Sequence, residues 1–222
     1  MLDFQRSIVD LCGGFVVIDN GGNVAMVHQT ASEYLLSSND RPFHVDRAAA
    51  HKRLFLSYMR CLMAVGLRAK VKGNQKPEIL DYAASSWSSH LTSTPLDCEQ
   101  VIEVLNEFLT GNWVLTWIQV LATNQQLRIL IQASKHLSKY RAKQNEYDAQ
   151  RNENDHHIVK QEFIASWAED FVKIVGKFGT ILRRDPESIY KLIPPFCPQN
   201  SAIYQQFGRM KVKSLCDIRS IN

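Results

Sequence analysis

The segment 11–36 restricts the fold of this chain more than any other part, because a helix end, a hairpin and a new helix follow one another within it. Gly13 and Gly14 come directly after the amphipathic run Leu2–Leu11. Glycine just past such a run is typical of a helix end, since it adopts the left-handed backbone conformation at little cost. The sequence therefore predicts a short first helix that stops at this glycine pair.

Two short apolar runs follow the glycine pair. Phe15–Ile18 is rich in aromatic and β-branched residues, and Val24–Val27 is the second run. Asn20-Gly21 between them is typical of a tight hairpin turn, in which both central residues have positive φ angles. We expect a two-stranded hairpin that turns at this pair.

A second helix is expected directly after the hairpin. Thr30 and Glu33 have the S/T-x-x-E spacing of a capping box, which predicts a helix start at Thr30 and a helix that runs to about Leu36. His28 then lies where the second strand passes into the helix. A histidine at this junction can donate a hydrogen bond to a phosphate oxygen, or it can simply bond to backbone.

A helix, a hairpin and a closing helix in this order resemble the last part of a winged-helix domain. The closest resemblance is to the winged helix of fungal NACHT-type STAND NTPases, which are NLR-like regulators, and to the domain named after GPI inositol-deacylase. The residues that carry it are His28, Thr30, Glu33, Tyr34 and Leu35. The resemblance implies that His28 contacts the phosphates of ADP in a neighbouring nucleotide-binding domain and keeps the protein inactive.

Two later segments resemble the same fungal proteins. One is Leu80-Asp81-Tyr82-Ala83-Ala84 with Trp87 and His90, which we interpret as helix packing, and the other lies at 194–207. The resemblance implies the end of a winged-helix domain at 1–40, a helical domain at 45–207 and an unrelated, disordered tail at 208–222. We expect a fragment without the NACHT domain in front of it or the WD40 or ankyrin repeats behind it.

Helical periodicity dominates the rest of the chain, and the expected fold class is mainly α. The first long pattern, 46–67, has Leu54, Tyr58, Cys61, Leu62 and Val65 on its inner face. The polar segment 141–157 is predicted to be an exposed helix extension or a flexible linker, because its composition cannot sustain a core. Further helices are predicted at 79–91, 98–109, 113–121, 158–182 and 188–193.

The cysteines and histidines indicate neither disulfides nor a metal site. The five cysteines, Cys12, Cys61, Cys98, Cys197 and Cys216, form no C-x-x-C pair, and we expect them to be reduced with the first three packed in cores. His156-His157 has no third ligand at a suitable spacing, so no metal is expected there. No run approaches the length of a membrane span, and the expected location is the cytoplasm.

Catalytic motifs are also absent. The sequence has no G-x-x-x-x-G-K-[ST] phosphate loop, so we expect no cofactor in this chain, although ADP or ATP would occupy the parent protein. The predicted function is non-catalytic regulation: relaying nucleotide state between the NACHT domain and the repeats, with oligomerisation on activation. A stand-alone enzyme of unknown type and a nucleic-acid binder are the alternatives. The second is disfavoured because no lysine or arginine lies between Phe15 and Leu36.

Overall fold

The computed structural model describes residues 4–21, 23–37, 44–151 and 158–208, and they are mainly helical. The chain divides into two compact units, Met1–Ala50 and His51–Asn222. We call them the first and the second unit. The predictions for His156-His157, for Cys216 and for most of the tail concern residues outside the described ranges.

The first unit contains α1, Phe4–Leu11, the strands β1, Val16–Ile18, and β2, Val24–Met26, and the helix α2, Gln29–Leu36. The strands pair antiparallel, with Val16 opposite Met26 and Ile18 opposite Val24. Gly13 and Gly14 have φ angles of 58° and 80°, which confirms the predicted helix end. Helix, hairpin and helix thus follow in the order that the sequence predicts.

The hairpin connection is not the tight turn that Asn20-Gly21 predicts, and that prediction is wrong. Neither residue has a positive φ angle, and five residues separate the two strands. The carboxylate of Asp19 organises the connection, because its Oδ1 accepts hydrogen bonds from the backbone N–H groups of Gly21, at 2.8 Å, and Asn23, at 2.9 Å. The side-chain amide of Asn23 also donates to this carboxylate. That bond, and after it the two backbone bonds, hold the pKa of Asp19 below its usual range.

The second unit contains most of the helices. α3 begins in the first unit and is followed by six further helices and a single-turn helix, and then by a 3-10 turn, Pro194–Phe196, and a π-helical turn, Tyr204–Gly208. The helices are α3 Arg47–Leu62, α4 Leu67–Lys72, α5 Leu80–Leu91, α6 Glu99–Thr110, α7 Trp113–Thr123, α8 Arg128–Arg151, α9 Ile158–Arg184 and α10 Ser188–Lys191.

α7 lies at the centre of the second unit, because every residue from Val114 to Ala122 is buried. Most of these residues are apolar, as burial requires, and the two buried polar ones, Thr116 and Gln119, both contact the hydroxyl of Tyr190. Edge-to-face aromatic contacts surround it: Trp117 packs against Trp87 of α5, Phe108 of α6 and Phe171 of α9 at ring-centroid distances of 5.3, 5.9 and 5.3 Å. No helix in the described residues is long and apolar enough to cross a membrane.

The structure corrects two predictions of packing. Leu54 and Val65 are 39% and 96% exposed, and the core face of α3 consists of Phe55, Tyr58, Met59 and Leu62. Leu54 lies beside this face rather than on it. Val65 is exposed because α3 ends at Leu62, and the chain then turns through Gly66, whose φ angle is 74°.

The polar segment from residue 141 is not a linker up to Arg151, because α8 continues through it. Its packing uses polar side chains, and hydrophobic periodicity does not reveal these. Gln144 and Asp148 are 4% and 6% exposed, and the Gln144 amide donates to the carbonyl of Leu96 at 3.1 Å.

The predicted burial of the first three cysteines is wrong for one of them. Cys12 is exposed, because it follows the end of α1 in a unit whose described side chains include no buried one. Cys61 and Cys98 are partly buried and pack against the core of the second unit, as does Cys197.

Candidate functional site

His28 is the N-cap residue of α2. Its backbone is extended, with φ and ψ of −156° and 153°, and its ring Nδ1 accepts a hydrogen bond from the backbone N–H of Thr30 at 3.3 Å. The same Nδ1 lies 2.9 Å from Oγ1 of Thr30. The first turn of a helix leaves backbone N–H groups without partners, and the ring satisfies one of them.

The capping hydrogen bond determines which nitrogen of the neutral His28 ring carries the proton and can donate to a partner outside the chain. Because Nδ1 accepts from a backbone N–H, the proton of the neutral ring lies on Nε2. The side chain is exposed, and within the described part of the chain Nε2 has no hydrogen-bond partner. The site therefore presents one N–H donor to the surroundings, beside the positive end of a helix dipole.

The predicted capping box is wrong. Thr30 is the second residue of α2, and Glu33 accepts instead from the side-chain amide of Gln29 at 2.8 Å. His28 takes the capping position because the extended backbone of the hairpin continues through it and the helix begins at the next residue. Of the residues that carry the resemblance, the structure thus brings His28 and Thr30 into direct contact.

The surroundings of His28 carry little charge. The segment from Phe15 to Leu36 has no lysine or arginine, and its acidic residues are Asp19 and Glu33. The first turn of α2 contains no acidic side chain. An anion that approaches His28 therefore meets the ring N–H and the helix N-terminus, with no carboxylate in that turn.

The segment 80–90, the first of the two later segments that resemble the fungal proteins, packs a helix in the core, as we interpreted it. Its last residue, His90, also makes a contact that we did not predict. Leu80, Ala83, Ala84 and Trp87 are buried, and the carbonyl of Ala84 accepts a hydrogen bond from Nε1 of Trp117 at 2.8 Å. His90, at the end of this segment, contacts His51. That contact joins residues 39 positions apart, so the sequence offered no local signal for it.

The third resembling segment encloses a buried carboxylate. Asp170 of α9 is 2% exposed and accepts a hydrogen bond from the backbone N–H of Ile203 at 2.9 Å. Burial raises the pKa of Asp170, although its bonds to Ile203 and Ala202 act in the opposite direction. A cavity of about 400 Å³ lies beside it, and burial raises the pKa of Cys197 at its edge to about 11.

Among the described residues, the other titratable groups form no candidate catalytic or metal centre. His136 of α8 lies 3.0 Å from Oγ of the buried Ser88, with no carboxylate in the contact. Burial, and the charge of Lys139, lower the pKa of His136. Across the described ranges, no three His, Cys, Asp or Glu side chains come close enough together to hold a metal ion.

Comparison with known proteins gives one match, and it covers the region around His28. No curated protein and no solved structure matches the chain. Residues 3–46 match the family model described as GPI inositol-deacylase, winged helix domain. The matched segment contains α1, the hairpin and α2, so this part of the chain is similar to that winged-helix domain.

Proposed function

We propose that this chain is a non-catalytic regulatory part of a NACHT-type STAND NTPase. In this proposal His28 senses ADP in a nucleotide-binding domain, and the helices of the second unit relay the nucleotide state to a sensor array. The observation that carries the proposal is the exposed Nε2–H of His28 at a helix N-terminus, within the segment that matches a winged-helix family.

The chemistry of the site suits a phosphate. A neutral imidazole N–H donates to a phosphate oxygen, and the partial positive charge of a helix N-terminus favours an anion at the same place. One side chain and one helix end do not make a complete nucleotide site, because the glycine-rich backbone cradle is absent. His28 therefore acts on a nucleotide that another domain holds.

The first unit also has the surface expected of a part that works against another domain. None of its described side chains is buried, and Val17, Val24 and Val27 are 44%, 50% and 52% exposed. Apolar side chains gathered on one small hairpin are costly in water and favour burial against a partner. A nucleotide-binding domain that covers the hairpin would bring its ADP towards His28.

The two units share one helix, which supports the relay. α3 begins at Arg47, within the first unit, and ends at Leu62, in the core of the second. Phe55, one turn beyond His51, is completely buried. The proposed relay would therefore run along α3, within which the chain passes from the first unit to the second.

A substitution that separates capping from sensing tests the proposal. His28→Asp keeps a good helix cap, because aspartate accepts from the same backbone N–H groups, but its charge repels phosphate. The assay is the release rate of fluorescent ADP from a fungal NACHT nucleotide-binding domain with and without the purified chain. We expect the unmodified chain to slow ADP release and His28→Asp not to slow it.

His44→Gln is the matched control, since it changes the other described histidine of the first unit without touching the cap of α2. It should slow ADP release as the unmodified chain does. If His28→Asp also slows release to the same extent, His28 is only a helix cap and the sensing role is wrong. If the unmodified chain instead binds duplex DNA tightly in a salt-dependent way, the nucleic-acid alternative replaces the proposal.

A further inference from the structure

His51 and His90 form a direct contact between two helices of the second unit. Their Nδ1 atoms lie 2.8 Å apart, and their ring centroids are separated by 4.9 Å. His51 lies near the start of α3, whereas His90 lies in the last turn of α5. Two nitrogens this close must share a proton, because two lone pairs or two N–H groups would repel each other.

We propose that the His51–His90 pair is an acid-sensitive latch, which holds residues 51–54 of α3 on α5 at neutral pH and releases them when both rings are protonated. Two ligands are too few for a metal site, and the described residues offer no group of three. The latch depends on neither nucleotide nor His28.

The protonation states of the pair determine when it opens. In the neutral pair, one Nδ1–H donates to the other Nδ1. A first proton can enter at the Nε2 of the donor ring, and the hydrogen bond then becomes charge-assisted and stronger. A second proton must take the lone pair of the accepting Nδ1. It therefore breaks the bond and leaves two cations in contact.

The surroundings shift the opening towards acid. Burial, and then the charge of His51, lower the pKa of His90. Tyr58 of α3 packs the edge of its ring on His90, and Tyr82 of α5 packs on Tyr58 in turn. Burial raises the pKa of Tyr58 to about 12, so its ring stays uncharged in this pH range. The causes that shift the pKa of His90 include no carboxylate that would favour its charged form.

The release has a defined extent along α3. Phe55 begins the buried face of the helix and packs against Trp87 at a ring-centroid distance of 6.5 Å. This apolar contact does not change with pH. Residues 51–54, with which the helix enters the second unit, have no buried side chain, and His51 joins this stretch to α5 through its contact with His90. Acid should therefore free residues 51–54 of α3 and leave the helix from Phe55 onward in place.

NMR on the full chain tests the latch, through the titration of the imidazole signals and through amide hydrogen exchange. We expect the pKa of His90 to rise towards its ordinary value in His51→Gln, because the charge of His51 contributes to lowering it. We also expect the exchange protection of residues 52–54, relative to residues 59–62, to fall about tenfold between neutral pH and double protonation. In His51→Gln and His90→Gln this ratio should be low at all pH values.

His136→Gln is the control, because His136 is also a partly buried histidine with a lowered pKa but bonds to Ser88 and not to a second histidine. It should keep the acid response of α3. The latch is refuted if His51→Gln leaves the titration of His90 unchanged. It is equally refuted if the protection ratio does not change with pH, or if it changes to the same extent in both glutamine variants as in the unmodified chain.

Discussion

The two tryptophans at the centre of the second unit should respond very differently to the same substitution. Trp87 and Trp117 are both completely buried, and both pack edge-to-face on Phe108. Their own ring centroids are 5.3 Å apart. Their indole N–H groups differ. That of Trp117 donates to the carbonyl of Ala84 at 2.8 Å, whereas that of Trp87 has no hydrogen-bond partner among the described residues.

The magnitudes follow from this difference. Replacing either indole with a phenyl ring removes three heavy atoms, and the resulting loss of packing costs about 1–2 kcal/mol at both positions. Trp117→Phe also loses a buried hydrogen bond, which adds about 1 kcal/mol. Trp87→Phe removes a buried donor that has no partner, which recovers about 1–3 kcal/mol. We therefore expect Trp117→Phe to destabilise the protein by about 2–3 kcal/mol and Trp87→Phe to be nearly neutral.

Urea unfolding of both variants, followed by far-UV circular dichroism, measures this difference. A gap of about 2 kcal/mol corresponds to thermal midpoints that differ by about 4–8 °C for a unit of this size. Equal destabilisation by the two substitutions, within about 0.5 kcal/mol, would refute the reasoning. The packing losses would then decide the stability, and the hydrogen bond to Ala84 would contribute nothing measurable.

Three further predictions concern other parts of the chain. The pKa of Asp170 is raised in the folded protein. Its contribution to stability is therefore fully present below the ordinary carboxyl pKa, and it is lost as the pH rises through the raised pKa of Asp170. Asp170→Asn, which can still accept from Ile203, should therefore remove part of the stability loss that occurs as the pH rises above the ordinary carboxyl pKa of about 4 in urea titrations, and an unchanged pH dependence would contradict this. Gly111→Ala should lower the thermal midpoint, because its Cβ would lie 2.0 Å from the ring of Trp113, whereas Gly176→Ala meets no atom within 4 Å and should raise stability by about 0.5–1 kcal/mol. Isothermal calorimetry should detect no ADP binding to this chain alone, and a saturable signal would contradict the view that the nucleotide belongs to another domain.

Much of the fold could be predicted from the sequence because apolar periodicity and glycine positions are local signals. The inner faces of α5 and α6 follow the predicted spacing, and α7 is as buried as its apolar run indicates. The glycine pair at residues 13 and 14 ends α1 as predicted, because a left-handed backbone needs little more than the missing side chain. These features depend on neighbours within a few residues.

The remaining features depend on chemistry that residue patterns represent poorly. Histidine is not among the usual N-cap residues, so the pattern favoured Thr30 over His28 as the start of α2. Gln144 and Asp148 are polar, and buried polar side chains need hydrogen-bond partners. The carbonyl of Leu96, which accepts from Gln144, is far away in the sequence. The contact between His51 and His90 likewise exists only once α3 and α5 are packed.

The aromatic contacts around α7 also determine what spectroscopy can observe. All four tryptophans, Trp87, Trp113, Trp117 and Trp167, belong to the second unit. Their emission and near-ultraviolet dichroism therefore report the packing of the helical core and contain no signal from the hairpin or from His28. A tryptophan placed in the first unit would give that unit an optical signal of its own, so that its unfolding and its encounter with a partner could be followed separately.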